Sequence, residues 1–215
     1  LLKMTDEELL LLYRIVFDNS TLTSSTERVQ GDLPTFASCF AKMGNNSGRP
    51  LLDLKQSFYQ IAITKKTSSL FTFPSSIPGI SWMELCRLSQ GFCQSSRLLI
   101  LIMDIVAAQI DQIPFNLSWK EARPQIDMLQ DEQKTTIDNK QCSLTLGTRA
   151  FMDDLMVSTP LSKETYDDFH IPAEALFQKP TCQEDRYFFL HLNVLQRLLY
   201  SLDRANILVN AKKTF

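Results

Sequence analysis

The sequence predicts an α+β fold, in which short antiparallel strands are backed by helices. Three stretches carry this prediction. Residues 51–53 (Leu-Leu-Asp) are typical of a buried strand, and residues 151–158 (Phe-Met-Asp-Asp-Leu-Met-Val-Ser) of a strand, a tight turn and a second strand. An apolar run at 98–106, interrupted only by Asp104, predicts a buried helix of roughly 15 residues.

The composition is that of an ordinary globular protein with room for a sizeable core. The chain has 215 residues, of which 44% are hydrophobic and 21% charged. Its formal net charge is −2, so composition gives no electrostatic argument for binding nucleic acid. Any such function must rest on a local site.

Cysteines, histidines and the chain ends bear on the compartment. Five cysteines are scattered without a C-x-x-C pair, which favours buried thiols in a reducing, intracellular compartment. The two histidines, His170 and His191, are too isolated for a metal site and are expected to be structural. No basic leader precedes the first apolar residues, and the run at 98–106 is too short to span a bilayer. The start at Leu1 suggests a piece of a longer polypeptide.

The adjacent acids Asp153 and Asp154 lie at the turn of the predicted hairpin. Neighbouring side chains of a strand point to opposite faces, so both can serve one site only if the backbone turns there. Burying two negative charges side by side is costly unless a cation neutralises them, and oxygen ligands suit Mg²⁺. A bare Asp-Asp pair is more often a solvated turn. A third carboxylate upstream would reverse that preference.

Asp53 supplies such a carboxylate at the end of the strand 51–53. An acid at the end of a buried strand is solvated, acts as a cap or binds a ligand, and taken alone the capping role is commoner. Beyond it, the alternation of Tyr59, Ile61 and Ile63 predicts a second strand edge. Residues 70–73 and 82–88 predict two further strands around a Ser-Ser-Ile-Pro-Gly turn, and residues 19–26 a polar loop.

A series of motifs occurs in a fixed order along the chain. They are R-I-V-F-D (14–18), L-D-L-K-Q-S-F-Y-Q-I (52–61), F-T-F-P (71–74), L-S-Q-G-F (88–92), F-M-D-D-L-M-V-S (151–158) and L-x-x-L-L-x-x-L-x-x-A-N-I-L-V-N-x-K-K (195–213). The series resembles the fingers and palm of a reverse transcriptase from a retrovirus or a long-terminal-repeat retrotransposon of the Ty3/Gypsy type. The resemblance covers nearly the whole chain.

The resemblance implies a catalytic and metal-binding role for Asp53, Asp153 and Asp154. Asp53 matches the family's first metal-binding aspartate, and the other two match the pair of the Y-x-D-D motif. In the family these acids hold two Mg²⁺ ions, for which Mn²⁺ can substitute, roughly 3.5–4 Å apart. Phosphoryl transfer depends mostly on positioning and charge neutralisation, which several convergent carboxylates provide.

Four further residues match substrate-binding positions of the family. Phe58 matches the aromatic residue that excludes the ribose 2′-hydroxyl, and Gln90 the glutamine that lies along the incoming nucleotide. Arg14 matches a fingers arginine that meets the triphosphate. Lys213 matches a lysine that could donate a proton to pyrophosphate. Phe58 could be a core residue as well, since the two roles are compatible, whereas Arg14 and Lys213 could instead be solvated surface groups.

The chain also departs from the family pattern. Phe151 replaces the tyrosine of Y-x-D-D, Ser89 the proline of L-P-Q-G, and Ser20 an expected arginine. Two polar expansions, 112–146 and 162–185, interrupt the match and are expected to be surface loops.

The resemblance implies fingers at about 1–27 and 64–87 and a palm at about 28–63 and 88–215, without thumb, connection or RNase H portions. The implied activity is RNA-directed DNA polymerisation by a two-metal mechanism. The implied partners are an RNA or DNA template with its primer and deoxynucleoside triphosphates, and no membrane is expected to be involved. The implied location is the cytoplasm, a virus-like particle or the nucleus. The alternative is a degenerate or domesticated copy that is catalytically inactive and acts as a binding module.

Overall fold

A computed structural model of the chain describes residues 17–27, 35, 37, 47–48, 50–114, 116–131, 149–151, 154–160 and 171–214. Its elements are, in chain order, α1 (Ser20–Ser24), β1 (Ser47–Gly48), β2 (Leu51–Asp53), α2 (Ser57–Gln60), α3 (Lys65–Ser68), β3 (Thr72–Pro74), β4 (Trp82–Glu84), α4 (Ser95–Asp111), α5 (Trp119–Asp131), β5 (Arg149–Phe151), β6 (Asp154–Met156), β7 (Thr159–Pro160), a 3₁₀ turn (Ala173–Ala175) and α6 (Gln183–Arg204).

The predicted hairpin is part of a three-stranded antiparallel sheet with the order β2-β6-β5. β6 lies in the centre and pairs with β5 on one side and β2 on the other, with Leu52 opposite Leu155. A bridge between Leu54 and Val209 continues the pairing beyond β2, so residues after α6 border the sheet on that side. The predicted strand at 51–53 and the predicted hairpin at 151–158 are therefore confirmed as paired strands.

One face of this sheet is buried against helices. Leu52 and Leu54 are 0% and 3% exposed, whereas Asp53 between them is only half-buried, because alternate strand residues face opposite sides. Helices α4 and α6 cover the apolar face, as the apolar spacing of α4 predicts. The shared core consists of Leu52, Leu54, Leu99, Met103, Val106, Ile110, Leu155, Val157, Val194, Leu198, Leu202 and Ile207. Each buried aliphatic side chain contributes about 1.5–3 kcal/mol to folding.

A second, smaller sheet pairs β3 with β4, as predicted for residues 70–73 and 82–88. Its sequence neighbour α3 is tied to it by an ion pair between Lys65 and Glu84. This hydrogen bond from Lys65 lowers the pKa of the Glu84 carboxyl. The expected polar loop at 19–26 is wrong in part, because Ser20–Ser24 form the one-turn helix α1.

The strand predicted from the alternation of Tyr59, Ile61 and Ile63 is also wrong. Residues Ser57–Gln60 form helix α2, and only Ala62 makes an isolated bridge, to Arg87. The physical reason lies at Gln56, whose left-handed conformation (φ 49°, ψ 48°) turns the chain sharply after β2 and starts the helix. An apolar alternation of three residues does not override that turn.

The expansion at 112–146 was expected to be a surface loop, but its first part is the packed helix α5. Ile113, Ala122 and Ile126 are at most 2% exposed and form a core cluster of their own, against which Trp119 and Tyr200 pack. Ser118 opens the helix, since its backbone N–H (2.9 Å) and hydroxyl (2.7 Å) both donate to the Glu121 carboxylate. The rest of this expansion lies outside the described residues.

The second expansion, 162–185, is likewise not simply a loop. Its described part carries Ile171, Ala175 and Leu176 into a cluster with Leu190 of α6. Asn193, one turn further along α6, donates a hydrogen bond to the carbonyl of Ala175. Both expansions are thus held against the same long helix.

The cysteines were expected to be buried and the histidines to be structural. Cys86 and Cys182 are exposed and Cys93 is half-buried, so the expectation of buried thiols fails for these residues. His191 is half-buried beside the Thr159 hydroxyl, and burial lowers the pKa of its imidazole, in keeping with a structural role. His170 lies outside the described residues. In the described part of the chain, every helix is too short or too polar to cross a bilayer.

Candidate active site

Two of the three predicted catalytic acids lie directly opposite each other on neighbouring strands. Asp53 ends β2 and Asp154 begins β6, and the two residues are direct partners in the antiparallel register. Side chains of directly opposite residues project to the same face of a sheet, with Cβ atoms about 4.5–5.5 Å apart. Since Leu52 and Leu155 occupy the apolar face, both carboxylates lie on the opposite face, where Asp53 and Asp154 are each half-buried.

Both oxygens of Asp53 lie near nitrogen atoms from the chain segment that follows α6. The amide Nδ2 of Asn210 donates to Asp53 Oδ2 at 2.9 Å, and the ammonium of Lys213 lies 4.0 Å from Oδ1. The Asp53 side chain is 18% exposed and that of Lys213 60% exposed. Lys213, singled out from the sequence, is therefore next to the predicted catalytic acid.

The side chain of Gln60 holds the segment 208–210 beside β2, because it hydrogen-bonds to the backbone of Leu208 as a neighbouring strand would. The Gln60 amide donates to the carbonyl of Leu208 at 3.0 Å and accepts from its N–H, while Lys55 N–H also donates to that carbonyl at 2.9 Å. The backbone N–H of Asn210 completes the pairing by donating to the Asp53 carbonyl at 2.7 Å. These contacts hold Asn210 and Lys213 at the site.

Phe58 lies on α2, directly after the turn that follows Asp53. Its ring is half-buried and packs against the core that contains Leu54. This is the core role that sequence left open for Phe58. Its predicted contact with a nucleotide sugar stays a prediction.

Gln90 is exposed on a turn whose next residue, Gly91, has φ 91°. The backbone of this turn is held by the side chain of Asn19, whose Nδ2 lies 2.8 Å from the hydroxyl of Ser89 and 3.2 Å from the carbonyl of Gln90. Ser89 is fully buried, and its carbonyl accepts from the hydroxyl of Ser95 at 2.5 Å. Ser89, which departs from the family proline, is therefore satisfied by a polar network.

We expect Asn19 and Ser89 to be energetically coupled. Asn19→Ala and Ser89→Ala should each lower the free energy of unfolding by about 1–2 kcal/mol, because each leaves a polar partner unpaired. The double variant should lose less than the sum, by at least about 0.5 kcal/mol. Denaturant unfolding of the three variants measures this, with the exposed Ser76→Ala as control. Strictly additive losses would mean that the network does not hold the Gln90 turn.

Two predicted site residues, Asp153 and Arg14, lie outside the described residues. Asp153 directly precedes Asp154 in the chain, between β5 and β6. Within the described ranges, no group of three or more His, Cys, Asp or Glu residues has metal-binding geometry. Asp53 and Asp154 are two such residues, and the third predicted ligand is Asp153.

The donor set fits a divalent cation of the hard type. Mg²⁺ is usually bound through one or two carboxylates together with substrate phosphates and water rather than by a complete protein cage. Asp53 and Asp154 supply two carboxylates on one face of the sheet, so a cation held by both would take its remaining ligands from phosphates and water. The metal role of Asp53, Asp153 and Asp154 stays a prediction.

Asn210 and Asn19 contact predicted site residues, but sequence reasoning did not single them out. Asn210 stands at the end of the apolar run Ile207–Val209, within the motif that ends at Lys213. A polar residue at that position, after a strand-like run, was the available signal. Asn19 gave no comparable signal, since its contacts with 89–90 span about seventy positions of sequence.

The sequence matches no protein-family model and no curated protein. Solved structures do match. A foamy viral protease-reverse transcriptase in complex with double-stranded DNA has a TM-score of 0.52 at 17% identity, over 94% of this chain. The native protease-reverse transcriptase of prototype foamy virus and its CSH mutant both give a TM-score of 0.55, again at 17% identity and 94% coverage.

The chain has a fold like that of a retroviral reverse transcriptase. This likeness agrees with the α+β prediction and with the retroviral part of the resemblance. The chain spans 24% of the DNA-bound foamy viral chain and 18% of each of the other two. In this chain, the reverse-transcriptase-like fold places Asp53 of β2 opposite Asp154 of β6.

Proposed function

We propose that the chain is the catalytic part of an RNA-directed DNA polymerase of retroviral type. The single observation that carries this is the strand register that places Asp53 directly opposite Asp154 on one face of the sheet. The reverse-transcriptase-like fold and the double-stranded DNA bound by one structural neighbour support it. The proposed partners are an RNA or DNA template with its primer and deoxynucleoside triphosphates.

In the proposed mechanism, Asp53, Asp153 and Asp154 hold two Mg²⁺ ions, with Mn²⁺ as a substitute. Bound there, the ions would neutralise phosphate charge and make the primer 3′-hydroxyl a better nucleophile. The protein side chains fix the geometry, since phosphoryl transfer depends mostly on positioning. Lys213, 4.0 Å from Asp53, is suitably charged to donate a proton to the leaving pyrophosphate.

The finer assignments belong to the same proposal. Residues 1–27 and 64–87 would form fingers, with Arg14 toward the triphosphate, and residues 28–63 and 88–215 a palm. Gln90, on its anchored turn, would lie along the nucleotide. A Ty3/Gypsy origin and an intracellular location are further predictions of the sequence resemblance.

Primer extension on an RNA template tests this proposal. With Mg²⁺ or Mn²⁺, the chain should add deoxynucleotides to the primer, and Asp153→Asn should abolish the addition. Extension that persists in Asp153→Asn would contradict the assignment.

Phe58→Ala should admit ribonucleotides, because the aromatic ring that would clash with the 2′-hydroxyl is removed. We expect the incorporation of ribonucleotides relative to deoxynucleotides to rise at least tenfold, or about 1.4 kcal/mol. The change also removes packing, so Ile61→Ala, which trims a neighbour of the same core, is the matched control. Competition assays with both sugar types measure the ratio. A ratio that stays unchanged in Phe58→Ala, or rises equally in Ile61→Ala, would remove the gate role.

A second candidate function is an inactive copy that serves as a binding module. The observation that favours it is that both Asp53 oxygens lie near nitrogens of Asn210 and Lys213, so that the carboxylate is partnered without a cation. A working site should be stabilised by Mg²⁺ through mass action, whereas a binding-only module should not. The melting temperature with and without MgCl₂ separates the two functions.

A further inference from the structure

Asn210 holds Asp53 at two points. Its backbone N–H donates to the Asp53 carbonyl at 2.7 Å, and its side-chain Nδ2 donates to Oδ2 of the carboxylate at 2.9 Å. The first contact fixes where the residue stands on the sheet edge. The second fixes the rotation of the Asp53 carboxylate.

The two nitrogen partners of Asp53 differ in charge. The Asn210 amide is neutral, so it can orient the carboxylate without cancelling its negative charge and can stay in place when a cation arrives. The Lys213 ammonium is a positive charge 4.0 Å from Oδ1 and competes electrostatically with any cation there. Because its side chain is 60% exposed, Lys213 has room to move away.

We propose that Asn210 is a positioning residue that presents Oδ1 of Asp53 to a divalent cation by holding Oδ2. This inference rests on the proposed function and assigns a role that its motif resemblance does not supply. Groups that hydrogen-bond to metal-binding carboxylates orient them, and their loss commonly costs 10–100-fold in metal affinity or activity.

The test is the Mg²⁺ affinity of the intact chain, obtained from the rise of the melting temperature with MgCl₂ concentration. Asn210→Ala should bind Mg²⁺ about 10–100-fold more weakly than the wild type. Asn210→Ser, which keeps a hydrogen-bond donor, should recover part of the loss. Lys213→Met should bind Mg²⁺ at least as tightly as the wild type, because it removes a competing positive charge. The exposed neighbour Lys212→Ala serves as the control for the segment.

Three outcomes are distinguishable. Weaker binding in Asn210→Ala with recovery in Asn210→Ser supports the positioning role. Unchanged affinity in Asn210→Ala, or an equal loss in Lys212→Ala, overturns it while the proposed function stands. A wild type that Mg²⁺ does not stabilise overturns the proposed function and this inference together. If Asn210→Ala does not fold, Asn210→Leu, which is similar in size and also lacks a side-chain donor, takes its place in the comparison.

Discussion

Asp53→Asn is expected to lower the rate of deoxynucleotide addition by at least about 10³-fold. The substitution removes one negative charge from the proposed cation site, where charge stabilisation contributes several kcal/mol to the transition state. Its fold should survive, because the asparagine oxygen can still accept a hydrogen bond from Asn210 and the strand pairing of β2 is unchanged. Single-turnover primer extension measures the rate, and denaturant unfolding checks the fold.

The matched control for Asp53→Asn is Asp203→Asn, which makes the same chemical change at an exposed position near the end of α6. This control should keep the full rate. A rate within about tenfold of the wild type in Asp53→Asn, a change of about 1.4 kcal/mol, would mean that the carboxylate is not part of the reaction.

Arg197→Met is expected to cost roughly 2–4 kcal/mol of unfolding free energy, a large effect for a substitution that keeps an unbranched apolar stem. Arg197 lies on α6 and is 1% exposed. Its guanidinium donates to the carbonyls of Pro114 at 2.9 Å and Leu117 at 2.5 Å, and to Asn193 Oδ1 at 3.3 Å. Burial lowers its pKa to about 10, so it remains charged at neutral pH. Methionine would fill the space of the aliphatic stem but leave these acceptors without their donor.

Arg204→Met is the matched control for Arg197→Met. It lies on the same helix, but its ion pair with Asp127 (3.1 Å) is at the surface, with the arginine side chain 40% exposed. Exposed pairs contribute about 0–1 kcal/mol, so this variant should unfold almost like the wild type. Equal losses in both variants would show that Arg197 does not anchor the connection between α4 and α5.

The parts of the fold that follow from local pattern could be predicted. The strand 51–53, the hairpin around Asp153–Asp154 and helix α4 each have an apolar periodicity that matches their structure. The predicted strand at Tyr59–Ile63 failed because the left-handed turn at Gln56 starts a helix there, and a single glutamine gives no sign of such a turn.

Helix α5 could have been predicted but was not. Ser118 and Glu121 have the Ser-x-x-Glu spacing that opens a helix, whereas comparison with the family pattern shows this segment only as an expansion. Buried Arg197 could not be predicted, because arginine is rarely buried and its acceptors, at 114 and 117, are about eighty residues away.

The candidate site also has a part that the sequence could predict and a part that it could not. Motif order singled out Asp53, Asp154 and Lys213, and the sheet register puts the two acids opposite each other beside the lysine. The Asn210 contact joins residues 157 positions apart. Such pairing depends on how the end of α6 returns to the sheet, which no local pattern encodes.

Diffraction from crystals of the chain grown with Mn²⁺ and a deoxynucleoside triphosphate tests the central claim most directly, because manganese is located by its anomalous signal. We expect an ion roughly 2 Å from carboxylate oxygens of both Asp53 and Asp154, with Asn210 still bonded to Asp53 and Lys213 displaced from Oδ1. Manganese bound only elsewhere, with Lys213 still beside Asp53, would contradict it.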